Sequence, residues 1–214
     1  MFKKVASDVL GLSDIGQVIS PKDYDKVASD DYVLHEDGEK IYFLIKSQSD
    51  EYCFTNYALI HLDGNSATSK KRLLKRYSYK NNHISDVQLE TAGTVDLDIE
   101  IKFNLGSNSY SIDVRKQDIE YLKDLYKSLV KIASIQKENA RYLELAEKSL
   151  NIASNVLKPY HQESTDEQFK AINTYTFNWL KKSHQAFNKK DFSDIFLMFI
   201  NKLKSKEKER FLFI

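Results

Sequence analysis

One cysteine, two prolines and six glycines are all that 214 residues hold of the types that most constrain a backbone. With Cys53 alone, no disulfide closes within the chain and no cysteine-based zinc site can be assembled. That usage fits a reducing cytoplasm. A surplus of one charge is also missing, since 32 Lys and Arg stand against 31 Asp and Glu. The strong field of a dedicated nucleic-acid binder is therefore absent, and no nucleic-acid partner is expected. Long apolar runs are lacking too. IFLMFI at 195–200 reaches six residues, against the roughly 20 that a membrane helix needs. The opening MFKKVASDVLGLSDIG starts with positive charge, but Asp8 and Gly11 interrupt it before a signal-peptide core could form.

Catalytic signatures are equally scarce. No GxGxxG, GxxxxGK[ST] or GxSxG occurs, so nucleotide binding and serine hydrolysis have no local support. His35, His61, His83, His161 and His184 show no HxH, HxxxH or HExxH spacing and read as core or surface residues. Asp96, Asp98 and Glu100 would share one strand face, yet cation ligands must converge from several directions, so a solvated face is the simpler reading. Cys53, between Tyr52 and Phe54, reads as a buried and inert thiol. The chain is therefore read as a non-enzyme, with no catalytic residue, metal ligand or cofactor assigned.

What is present divides sharply. All six glycines, at 11, 16, 38, 64, 93 and 106, lie in the first half, and beyond Gly106 the single helix breaker is Pro159. The first half alternates. In TVDLDIEIKF, Val95, Leu97, Ile99, Ile101 and Phe103 take one parity and charged residues the other, and SYSIDVRK repeats the pattern after a polar LGSNS loop, which predicts a hairpin. EKIYFLIK, EYCFT and YALIHL add aromatic and β-branched segments. About seven strands are expected between 32 and 115, as an antiparallel sandwich or barrel.

In DIEYLKDLYKSLVKIASI, residues Ile119, Leu122, Tyr126, Leu129 and Ala133 recur every three or four positions, the stripe of an amphipathic helix that would close the open end of the sheets. The order of FTNYALIHLDG, SKKRLLKRYSYK and ETAGTVDLDIEIKF, followed by that helix, resembles the bacterial pleckstrin-homology-like family over roughly residues 1–130. The resemblance implies an α+β chain. A PH-like domain at 1–133 would hold a short N-terminal helix, the strands and a capping helix at about 118–133, and an all-α extension of about three helices would occupy 134–214. It implies no settled biochemical role, and the family is similar to proteins that assemble into rings or other oligomers.

Two surfaces remain as candidate sites. SATSKKRLLKRYSYK packs Lys70, Lys71, Arg72, Lys75 and Arg76 into seven positions. As a strand it places Leu73, Tyr77 and Tyr79 on one face and Arg72, Arg76 and Lys80 on the other. It is either the wet face of an edge strand, protected against aggregation by charge, or an anion site for a protein partner or the headgroups of an anionic membrane. Residues 1–135 carry 18 basic and 21 acidic side chains, which works against the second. In phosphoinositide-binding relatives the first hairpin is basic, whereas here KSQSDEY puts Asp50 and Glu51 there.

The helical half supplies the other surface. No breaker separates Asp118 from Lys158, so one long helix or two with a break near Ser134 would fit, with Leu143, Ala146, Leu150, Ala153 and Leu157 in a three-four rhythm. Ser164 and Glu167 form a capping box for a second helix, on which Phe169, Ile172, Leu180 and Phe187 would face the first. A third, around 192–200, is apolar nearly all round and is expected to be buried. The terminal Phe211, Leu212, Phe213 and Ile214 are costly to expose and read as an oligomer or partner contact. The sequence thus describes a self-associating or protein-binding scaffold, with a peripheral membrane protein using the 70–76 cluster as the alternative.

Overall fold

The structure is a computed structural model and describes residues 14–64, 72–91, 98–157 and 166–200. Two compact units divide it, one of Met1–Ala133 with Lys190–Ile214 and the other of Ser134–Lys189.

The first unit holds all the strands. After β1 (Gln17–Val18), three short 3-10 helices at Pro21–Lys26, Ala28–Tyr32 and His35–Asp37 lead into β2 (Ile41–Lys46), β3 (Glu51–Thr55), β4 (Ala58–Gly64) and β5 (Arg72–Ser78), which form an antiparallel sheet in the order β1-β2-β3-β4-β5. Three more strands, β6 (Ile84–Glu90), β7 (Asp98–Leu105) and β8 (Asn108–Arg115), make a second antiparallel sheet. The seven expected strands are there, and β1 is an eighth that was too short to show a period. It is held in place by its backbone: Gly16 N–H donates to Asp113 O at 2.8 Å, and Ile19 N–H to Leu44 O at 2.9 Å. The expected N-terminal helix lies outside the described residues.

The β7–β8 hairpin forms where alternation predicted it. Burial alternates strictly along β7, Leu105 pairs with Asn108, and Gly106 takes φ +60°, a left-handed turn conformation that favours glycine. The strands β2 to β4 behave differently, being apolar on both sides. Leu44, Cys53 and Ile60 pack under Val27 and Val33 of the 3-10 segment. On the opposite face Phe54 meets Phe43 edge-on at 6.3 Å and Phe103 of the second sheet at 6.0 Å. Covering both faces explains why these segments read as continuous apolar runs rather than alternating ones.

Helix α1 (Ile119–Leu157) runs without a break, and its residues to Ala133 belong to this unit. Leu122, Leu125, Leu129 and Ile132 are fully buried, each contributing about 1.5–3 kcal/mol by leaving water. The stripe is centred slightly off the expected one. Ile119, Tyr126 and Ala133 are half-buried flanks, whereas Leu125 and Ile132 are core.

The short α3 (Ser193–Ile200) also packs on this unit. Phe196 stacks on Tyr42 at 5.3 Å, Phe192 meets Tyr79 edge-on at 6.0 Å, and Phe192 N–H donates to Asn56 O. Burial is one-sided, contrary to the all-round burial expected, because Leu197 and Met198 stay exposed on the face turned from the sheet.

In the second unit, the rest of α1 accompanies α2 (Asp166–Ala186), whose apolar stripe is only partly used. Phe187, just past its end, lies 5.2 Å from Tyr142, Ser183 is buried and Leu180 half-buried. Phe169 and Ile172, expected against the first helix, are exposed instead. Of the capping box, Glu167 stands in the first turn, and Ser164 lies outside the described residues.

Candidate functional site

Strand β5 is an edge of the five-stranded sheet, and every basic side chain described on it finds a carboxylate. Arg76 Nη2 lies 3.0 Å from both oxygens of Glu39, a residue that is 1% exposed and also accepts from Leu34 N–H at 2.8 Å and the Thr55 hydroxyl. Arg72 lies 3.6 Å from Glu51, which accepts from Lys46 Nζ at 2.7 Å and Ser29 N–H at 2.8 Å. Lys75, on the opposite face, pairs with Asp63.

Burial pushes the Glu51 carboxyl up, but Lys46 and the Ser29 N–H outweigh it and hold the group below its ordinary range. A buried carboxylate without such partners would neutralise instead. The described part of the cluster is therefore a set of charge-assisted struts. Lys70, Lys71, Phe211, Leu212, Phe213 and Ile214 lie outside the described residues.

The carboxylates of β7 are met in a similar way. Lys102 lies 2.8 Å from Glu90 and 3.1 Å from Glu100, a solvated charge ladder, while Asp96 lies outside the described residues. Burial pushes the Cys53 thiol well up, so it stays protonated.

A cluster that sequence spacing missed lies on the inner side of β4. His61 Nε2 is 3.0 Å from Asp50 Oδ1, and one ligand-type atom from each of Asp50, His61 and Asp63 falls within 4.8 Å of the others. Its one visible signal was His61-x-Asp63, two residues apart and so on one strand face. Asp50 joins them only through the β2–β3 turn.

The second unit offers a different surface. Phe169, Tyr175 and Phe177 of α2 are 67%, 66% and 64% exposed, and Ile172, Trp179, Leu145 and Ile152 are exposed as well. These apolar side chains lie on both helices of the unit and leave α2 uncovered on more than one side.

Two antiparallel sheets whose core is completed by an amphipathic helix, followed by helices with uncovered apolar side chains, define a pleckstrin-homology domain joined to a helical extension. Residues 9–133 match the bacterial PH domain family, and the chain belongs to that family. Residues 144–202 match a second family, the YvbH-like oligomerisation region. The uncharacterised protein YvbH of Bacillus subtilis (strain 168) is 55% identical over 204 residues, covering 94% of this chain and all of the relative. A crystal structure of a PH-domain-containing bacterial protein from Exiguobacterium sibiricum 255-15 superposes with a TM-score of 0.83 at 53% identity, covering 88% of this chain and all of that one. No enzyme family is among these matches.

Proposed function

We propose that the protein is a non-enzymatic cytoplasmic scaffold that associates with itself through the helices after about residue 133 and presents its PH-like domain to a protein partner. One observation carries the reading: the apolar side chains that α2 leaves uncovered, with Phe169, Ile172, Tyr175, Phe177 and Trp179 in water in a single chain. Burying a Phe or Ile side chain of this kind is worth about 1.5–3 kcal/mol, so a handful of them supports a stable interface between copies. The match of residues 144–202 to an oligomerisation region supports the same reading.

The membrane alternative has less to stand on, because Arg72, Lys75 and Arg76 are each engaged by a carboxylate of their own domain. Light scattering after size exclusion tests the proposal. The wild-type chain is expected at a multiple of the 24.9 kDa chain mass, and a Phe169→Asp/Ile172→Asp variant at or near the single-chain mass with unchanged secondary structure. A wild type that stays monomeric at tens of micromolar sinks the reading.

A further inference from the structure

The Asp50, His61 and Asp63 cluster stands apart from self-association and is carried by its own geometry. His61 and Asp63 share a face of β4, and the register Glu51↔Leu62 sets Asp50, the next residue of the turn, beside Asp63. Gly64 permits that approach, since a Cβ there would lie 2.5 Å from Ser49 O. The imidazole is fixed. It stacks on Tyr52 at 4.4 Å and meets Tyr110 edge-on at 5.8 Å, so its Nε2 is held toward the carboxylates without the entropy a free side chain would lose.

Each carboxylate has a partner, Lys75 on Asp63 and His61 on Asp50. Two features are left over. First, His61 is buried and its Nδ1 has no hydrogen-bond partner. Moving the ring proton from Nε2 to Nδ1 gives up the hydrogen bond to Asp50 and frees the Nε2 lone pair for a cation.

Second, negative charge gathers here. Asp14 accepts from the same Ser49 hydroxyl that contacts Asp50. His61 and Lys75 also line a cleft of about 380 Å³ together with Tyr52, Tyr77 and the 107–111 segment, so the cluster is open to solvent on the side of these two residues.

We propose that Asp50, His61 and Asp63 form a binding site for a divalent transition-metal ion, with Lys75 as the resident cation that the metal displaces from Asp63. Ligands on a tetrahedral ion with bonds of about 2.0 Å sit about 3.3 Å apart. The 3.0 Å between Asp50 and His61 already meets this, and small side-chain rotations close the rest of the 4.8 Å cluster. An imidazole beside two carboxylates favours Zn²⁺ over Mg²⁺, which seeks six oxygens. On binding, Lys75 keeps its proton and moves to solvent.

Calorimetric titration of the full chain with Zn²⁺ at neutral pH tests this. One ion per chain is expected, unaffected by excess Mg²⁺. Asp63→Asn should weaken binding by about tenfold or more. Lys75→Gln should tighten it, which a ligand set elsewhere on the chain would not show. Both residues are partly exposed, and circular dichroism of the metal-free variants confirms that they fold. Absence of binding up to about 1 mM, or binding that both substitutions leave unchanged, overturns the proposal.

Discussion

Arg76 reaches across the sheet to Glu39, 37 residues away in sequence, with Nη2 at 3.0 Å from each carboxylate oxygen. Glu39 is buried, and the guanidinium is the opposite charge that offsets its desolvation there. Arg76→Met is expected to destabilise the domain by about 3 kcal/mol, read as a lower denaturant midpoint at unchanged slope. Adding Glu39→Gln should recover part of the loss, because a neutral amide no longer needs a cation. Equal midpoints for the single variant and wild type would show that the pair contributes nothing.

Stability should fall on acidification, and Glu51 gives the window. Its folded pKa lies below the ordinary 4.5, so its contribution is fully present above 4.5 and disappears as pH drops through the lower folded value. Urea midpoints measured down a pH series should show this, and Glu51→Gln should flatten the slope. An unchanged slope would mean that Lys46 and Ser29 do not hold the carboxylate as described.

Leu125 was outside the stripe read from the sequence yet is fully buried on α1. Leu125→Ala is expected to cost about 2–5 kcal/mol through lost burial and the cavity left behind. Tyr126→Ala, one position on and half-buried, should cost less. The reverse order would place the helix differently against the sheets.

Trp179 is the one tryptophan and stands partly exposed on α2. Its fluorescence should shift to the blue and become harder to quench with acrylamide as concentration rises, because association buries it. The Phe169→Asp/Ile172→Asp variant should keep a red-shifted, readily quenched emission at every concentration.

Much of this was legible before any coordinates. The hairpin of β7 and β8 announces itself through Ile99, Ile101 and Phe103, since a period of two depends only on neighbours in sequence. The amphipathic α1 does the same at 3.6 residues per turn. Where both faces of β2 to β4 are covered, alternation disappears, and with it the sign of which side meets the 3-10 helices. The apolar stripe of α2 was visible too, but not that Phe169 and Ile172 would be left uncovered, because the same residues serve a helix partner and a subunit partner equally well.

By itself, the sequence determined the two architectures, the strand and helix periods and the position of the change between them, all of which rest on local spacing and on where glycine stops. The tertiary structure decided what the charges do. Arg76 finds Glu39, Arg72 finds Glu51, and Asp50 meets His61 and Asp63 only because β pairing brings distant segments into register, and no local period records which strands become neighbours.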